Sequence, residues 1–134
     1  AGNDTLRGGK GKDKLRGEKG ADYLVGGAGA DQFIFAALSD STVSSKGRDT
    51  IRDFSSLQKD KIDLKQIDAR AGTKKNDAFS FLGAKDFSGK KGQLRYEKKK
   101  ADVVVYGDVD GDAKADFSIL LAGIDKLRGG DFVL

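Results

Sequence analysis

Apolar residues recur along the first quarter of the chain with one fixed period: Leu6, Leu15, Leu24 and Phe33 follow one another at intervals of nine. Two positions before each stands an aspartate, namely Asp4, Asp13, Asp22 and Asp31. Glycines keep the same phase, at Gly2, at Gly8, Gly9 and Gly11, at Gly17 and Gly20, and at Gly26, Gly27 and Gly29. A flexible linker has no cause to hold apolar residues in phase, so the pattern predicts a folded unit. Glycine permits turns with positive φ and close backbone approach, and the triplet around each apolar residue forms a short strand with that residue turned inward. Each nine-residue unit is then half a coil, and two complete a turn of eighteen residues. Asp4 would lie above Asp22 on one edge and Asp13 above Asp31 on the other. Glu18 breaks the glycine pattern, and Lys10, Lys12, Lys14 and Lys19 fill variable sites with positive charge that opposes cation binding.

After Phe35 the period stops and short alternating apolar segments take over. Residues 50–54, 61–64, 79–82, 93–97, 102–106 and 116–121 read as β-strands separated by turn residues such as Lys90-Lys91-Gly92. Asp63 to Ala71 is the best place for a short helix. The expectation is an all-β chain: a parallel β-roll over 1–35, followed over 36–134 by a β-sandwich-like C-terminal cap on its open end.

Composition sharpens the chemistry. With 37% hydrophobic residues, 34% charged residues and 19 glycines, apolar burial alone is a weak offset to the entropy of ordering the backbone. Cysteine and histidine are both absent, which removes disulfides, thiolate sites and the commonest transition-metal ligand. Oxygen ligands remain, and carboxylates stacked with glycine-loop carbonyls supply the hard donors that Ca2+ prefers. Stacked aspartates repel one another without a cation, so calcium binding and folding are expected to be one event. The aspartates are spaced as a ladder rather than as an acid/base pair, so the chain is expected not to be an enzyme. No apolar run approaches the length of a membrane-spanning helix, and the first residues, lacking a basic and an apolar region, do not read as a cleavable signal. A soluble monomer that forms the tail of a longer protein is expected.

Two further features each admit two readings. Asp108, Asp110, Asp112 and Asp116 occupy positions 1, 3, 5 and 9 of a loop between two strands, a spacing that turns alternate acids toward a hard cation. An Asp/Gly-rich turn also forms without metal, and Ala113 stands where a cation loop usually has glycine. The lysines gather as Lys74-Lys75, Lys90-Lys91 and Lys98-Lys99-Lys100. They read either as solvated loop tips or as contacts for an acidic polysaccharide such as alginate, which Lys10, Lys12 and Arg16 would join. Basic residues are not interleaved with aromatics, so nucleic acid is not expected as a partner.

The phased repeats match the G-G-x-G-x-D-x-U-x nonapeptide of RTX, hemolysin-type calcium-binding proteins. Together with Gly29-Ala30-Asp31-Gln32-Phe33-Ile34-Phe35, Ser39-Asp40-Ser41-Thr42-Val43, Asp49-Thr50-Ile51-Arg52-Asp53-Phe54 and Asp60-Lys61-Ile62-Asp63-Leu64, the chain resembles the C-terminal domain of serralysin-type proteases. Related tails occur on lipases and on regulatory modules of mannuronan epimerases. The resemblance implies a right-handed coil with one calcium per half-turn. It places the carbonyls of Gly9, Gly11, Gly26 and Ala28 with Asp13 and Asp31 around one ion, and Gly2, Gly17, Lys19 and Asp22 with Asp4 around the next. Asp40 and Asp49, each eighteen residues beyond a repeat aspartate, would finish the stacks. The resemblance further implies a secreted, extracellular protein exported by type I secretion machinery, with Asp131, Phe132, Val133 and Leu134 as its export signal and the folded tail stabilising an upstream domain.

Overall fold

The computed structural model describes residues 1–134 and contains no α-helix. The first four strands are β1 (Thr5–Lys10), β2 (Lys14–Leu15), β3 (Tyr23–Ala28) and β4 (Gln32–Ile34). β1 pairs in parallel with β3, Leu6 opposite Leu24, and β2 pairs in parallel with β4, Leu15 opposite Phe33. The chain therefore returns to the same place every eighteen residues, as the nine-residue phase requires. Leu15, Leu24 and Phe33 are buried between the two sheets, and Leu6 is half-buried at the open end. Burying such a side chain contributes about 1.5–3 kcal/mol.

Two more parallel strands extend the stack. β5 (Asp49–Ile51) lies on β3, Ile51 opposite Leu24, and β6 (Lys61–Asp63) lies on β4, Ile62 opposite Phe33. The rest of the chain grows from these strands. β7 (Ser80–Phe81), β8 (Gln93–Lys99), β9 (Asp102–Asp108) and β10 (Phe117–Leu121) complete a seven-stranded sheet in the order β1-β3-β5-β10-β9-β8-β7. β10 is antiparallel to β9 and parallel to β5, so the meander and the roll are one sheet. β11 (Phe132–Val133) pairs in parallel with β6 and closes a four-stranded sheet, β11-β6-β4-β2. One core results: Leu24, Phe33, Ile51 and Ile62 of the roll lie in the same cluster as Val103, Val105, Phe117, Ile119 and Leu121.

The expected helix over Asp63 to Ala71 is absent; the segment is a series of turns. Asp68 Oδ1 accepts the N–H groups of Arg70 and Asp77, a local side-chain bond that competes with helical pairing. No helix is long and apolar enough to cross a membrane.

Glu18 sits with φ 67°, the left-handed region that disfavours an L side chain, in the place where the repeat has glycine. Glu18→Gly is expected to stabilise the fold by about 1 kcal/mol in a urea titration at fixed calcium; unchanged or reduced stability would contradict this reading of the strain.

Candidate metal centre

Each repeat aspartate stands immediately before a strand, so coil stacking brings each one over the next. The Asp4 N–H donates to Asp22 Oδ1 at 2.7 Å, and the Asp22 N–H to Asp49 Oδ1 at 2.9 Å. On the other edge the Asp13 N–H donates to Asp31 Oδ1 at 2.9 Å, and the Asp31 N–H to Asp60 Oδ1 at 2.9 Å. Two ladders run up the roll, Asp4–Asp22–Asp49 and Asp13–Asp31–Asp60.

In Asp22, Asp31 and Asp49 Oδ1 is spent on the backbone and Oδ2 is left over. The Oδ2 atoms of Asp13, Asp22, Asp31 and Asp49 are all buried without a hydrogen-bond partner. A buried carboxylate oxygen with nothing opposite it is costly, by several kcal/mol for an unpaired charge. Those of Asp13, Asp22 and Asp31 face glycines. A Cβ at Gly8 would sit 2.6 Å from the Gly26 carbonyl oxygen and 2.7 Å from Asp13 Oδ2, so the space a side chain would fill is where a carbonyl and a carboxylate oxygen gather. Gly17 meets Asp22 Oδ2 and Gly26 meets Asp31 Oδ2 in the same manner. The Gly9 and Gly11 carbonyls abut Gly27 and Gly29 of the next coil, and the Gly2 carbonyl abuts Gly20. The Ala28 carbonyl accepts the Gly11 N–H at 2.8 Å, as Lys19 accepts from Gly2 at 3.1 Å on the other edge. Orphaned carboxylate oxygens beside glycine-loop carbonyls are the donor set of a hard divalent cation, and the residues fit one.

The Asp13–Asp31–Asp60 ladder ends on an acid whose oxygens are both occupied. Asp60 uses its second oxygen to accept the Ser55 N–H at 2.9 Å. Asp53 accepts the N–H groups of Gly26 and Gly27 at 2.9 and 2.8 Å, and Gln58 Oε1 accepts from Gly29 at 2.8 Å. Residues 53–60 thus seal the 26–31 loop in place of another glycine coil. Asp40 Oδ2 accepts from Ala36 and Ala37 at 2.9 and 3.2 Å, and Asp40 is buried. Asp49 differs from the sequence expectation: it follows Asp22 by 27 residues and continues that edge, rather than the Asp31 edge. Burial, with the Asp22 and Asp40 charges adding to it, pushes the Asp49 carboxyl up to about 7, against the opposing hydrogen bond from the Asp22 N–H. Burial also raises Asp60. Sequence reasoning overlooked Asp53 and Asp60 as partners of the loops. The signal was present, since Asp49-x-Ile51 and Asp60-x-Ile62 repeat the acid-x-apolar cadence of the nonapeptides.

The second acidic loop is built differently. Oxygens of Asp108, Asp110 and Asp116 lie within 4.8 Å of one another, and Asp112 stands outside the trio. Here the carboxylates are largely satisfied by their own turn. Asp108 accepts from Gly111 and Ala113 at 2.7 and 2.9 Å, Asp116 from Val109 at 2.7 Å, Asp110 from Asp112 at 3.0 Å, and Asp112 from Lys114 at 2.8 Å. Burial raises the Asp116 carboxyl.

The C-terminal residues are part of the fold. Asp131 accepts the Arg128 N–H at 2.8 Å, Phe132 packs on Phe81 with ring centroids 5.0 Å apart, Val133 lies in β11, and Leu134 is half-exposed. The lysines fall into two groups at opposite ends of the β8–β9 hairpin. Lys91 Nζ donates to the Ala71 carbonyl at 2.8 Å, so Lys90 and Lys91 adjoin the loop of Lys74 and Lys75, where Lys75 pairs with Asp77 at 3.8 Å. Lys98 pairs with Asp125 at 2.7 Å, Lys99 lies 5.6 Å from the centroid of the Tyr106 ring, and Lys100 forms the hairpin tip. A seven-residue strand separates the groups by about 20 Å.

A sequence profile described as Peptidase M10 serralysin C terminal matches residues 3–134. The chain belongs to the serralysin C-terminal family. No curated protein matches it in sequence. Among solved structures, this serralysin-type module is similar to the AlgE6R3 subunit of the Azotobacter vinelandii mannuronan C5-epimerase, at 21% identity and a TM-score of 0.57, covering 98% of this chain and 78% of that one. The AlgE6R2 subunit of the same organism's epimerase aligns at 23% identity with a TM-score of 0.47, covering 98% and 86%. The first likeness confirms the parallel β-roll fold for this serralysin-type chain.

Proposed function

We propose that this module binds calcium along its two aspartate ladders, folds as it does so, and serves a secreted protein in type I export and in extracellular folding of an upstream domain. The observation that carries the reading is the set of four buried, unpartnered carboxylate oxygens on Asp13, Asp22, Asp31 and Asp49. Bound calcium supplies positive charge and six to eight oxygen coordination positions. Asp13 and Asp31, with the Gly26 carbonyl between them, would hold one ion, and Asp4, Asp22 and the Gly17 loop the next, with Asp40 and Asp49 beyond. The chain is a binding module and not a catalyst. Where calcium is scarce, like-charge repulsion along the ladders keeps the roll loose, and near-millimolar calcium outside the cell draws it together.

Circular dichroism during a calcium titration of metal-free protein tests this, with magnesium as control. Calcium is expected to produce a cooperative rise in β-structure that equimolar magnesium does not; equal β-structure in excess chelator would overturn the folding role. Export is tested separately with a passenger fused ahead of the module. Deleting Asp131–Leu134 is expected to abolish appearance of the passenger in the medium, whereas an unchanged yield would remove the C-terminal signal from the proposal.

A further inference from the structure

The outward face of the four-stranded sheet is basic, and a bare leucine projects beside it. Lys14, Gln32 and Lys61 stand in one row across β2, β4 and β6, turned outward because Leu15, Phe33 and Ile62 beside them point into the core. Lys12 and Lys59 flank that row in the same shallow depression. A second depression holds Leu57, Lys126 and Arg128. The two are neighbours, since Lys61 of the first donates to the carbonyl of Gly130, two residues beyond Arg128 of the second. None of these lysines, nor Arg128, makes an ion pair. The acids nearby are engaged elsewhere: Asp31, Asp60 and Asp131 are buried, Asp13 is half-buried on its ladder, and the exposed Asp125 is paired with Lys98 at 2.7 Å.

Leu57 is 97% exposed, and the turn that carries it is pinned. Asp60 Oδ2 accepts the Ser55 N–H at 2.9 Å, the Asp60 N–H donates to the Ser55 carbonyl at 3.1 Å, and Gln58 Oε1 holds the Gly29 N–H at 2.8 Å. With Phe54 and Asp60 both buried at its ends, the turn holds Leu57 out in solvent instead of leaving it free to fold inward.

We propose that this face docks the calcium-loaded module on an anionic lipid bilayer, with Leu57 entering the boundary between headgroups and acyl chains and the surrounding cations taking lipid phosphates. Docking in this form rests on the calcium reading, because calcium on the ladder offsets the charges of Asp13, Asp31 and Asp60 beneath the row. Peripheral binding draws on buried apolar area together with attraction to anionic headgroups, and this face offers both side by side. Lys14 and Lys61 are two strand spacings apart, about 10 Å, so they address separate headgroups. The pinned turn limits the ordering cost of insertion. A soluble polyanion would engage the lysines but has no apolar phase to receive Leu57.

The test is co-sedimentation of the calcium-loaded 134-residue chain with vesicles of phosphatidylcholine containing about one-third phosphatidylglycerol, and with vesicles of phosphatidylcholine alone, at one fixed calcium concentration. The anionic vesicles are expected to bind at least about tenfold more tightly and to release the protein at high salt. Leu57→Ala is expected to weaken binding about tenfold. The double change Lys59→Gln and Lys126→Gln should weaken it about 25-fold. All three positions are exposed, so these variants should keep the wild-type calcium response in circular dichroism. Arg7→Gln with Arg52→Gln, on the opposite sheet, should leave affinity within about twofold. The chain has no tryptophan, so Leu57→Trp supplies a single reporter whose emission should shift to the blue on anionic vesicles. Absence of binding to anionic vesicles, affinity that survives Leu57→Ala, or an unshifted Leu57→Trp emission, the mark of a purely electrostatic contact, would overturn the proposal. Circular dichroism separates the two readings: a chain that responds to calcium but ignores vesicles sinks the docking alone, and one that docks without a calcium response sinks the calcium reading alone.

Discussion

Asp31→Ala is expected to raise the calcium concentration at the folding midpoint by about 100-fold. Asp31 is 1% exposed and sits mid-ladder, between Asp13 below and Asp60 above. Its Oδ1 holds the Asp13 N–H while its buried Oδ2 faces Gly26 without a partner, so truncation removes a backbone acceptor and a cation ligand together. Asp31→Asn separates the two roles. The amide keeps an oxygen for Asp13 but gives up the charge. In the absence of calcium the asparagine variant should be the more structured of the two and should exceed the wild type, because one repulsive charge has gone. In saturating calcium the wild type should exceed the asparagine variant. Far-ultraviolet dichroism and melting temperatures read both effects, and a wild-type midpoint in Asp31→Ala would show that this ladder does not hold the ion.

Acid is expected to substitute in part for calcium. With the Asp49 carboxyl near 7 in the fold and an ordinary value of 3.8, the folded state retains a proton that the unfolded chain releases between these limits. The resulting stability of the metal-free fold is present in full below the lower limit, declines as pH rises through the interval, and is gone above the upper one. Asp60 and Asp116, both raised by burial, act in the same direction. Protein stripped of metal on a chelating resin should therefore melt about 5–10 °C higher at pH 5 than at pH 7.5. Calcium-loaded protein should show the opposite trend, since protons compete with the cation for the same carboxylates. A metal-free melting temperature that stays flat or falls on acidification would contradict the burial of Asp49.

The roll was legible in the sequence because its information is local. A period of nine places an acid, an inward apolar residue and a turn in every half-coil, and nothing distant is needed to align Leu15 with Phe33 or Asp4 with Asp22. Counting by eighteen stopped working at Asp49 for an equally physical reason. Residues 41–48 make an excursion pinned by tertiary bonds: Ser41 Oγ donates to the Ser118 carbonyl at 2.5 Å, and Ser118 Oγ donates to that of Thr42 at 2.9 Å. That detour adds residues without advancing the coil, so the coil from Asp22 to Asp49 takes 27 residues and the one from Asp31 to Asp60 takes 29. Long-range contacts of this kind leave no periodic trace. Most strands of the second half announced themselves by alternation, whereas the helix expected after Asp63 lost to the Asx turn of Asp68, a competition that apolar spacing does not reveal. The lysine pairs are adjacent in sequence, but only the hairpin register shows that the groups sit at its two ends.

The pairing of β11 with β6 also governs how the molecule reaches its folded state. Phe132 lies beside Ile62, and Leu64 donates to the Val133 carbonyl at 2.9 Å, although almost the whole second half of the chain separates these partners in sequence. Closing so long a loop is entropically expensive, and non-local strand pairing is slow. Early coils can gather from neighbouring residues alone, while the four-stranded sheet waits for the final residues of the chain. Assembly is therefore two-tempo, quick along the repeats and slow at the seam, and the seam sets the rate at which the complete fold appears.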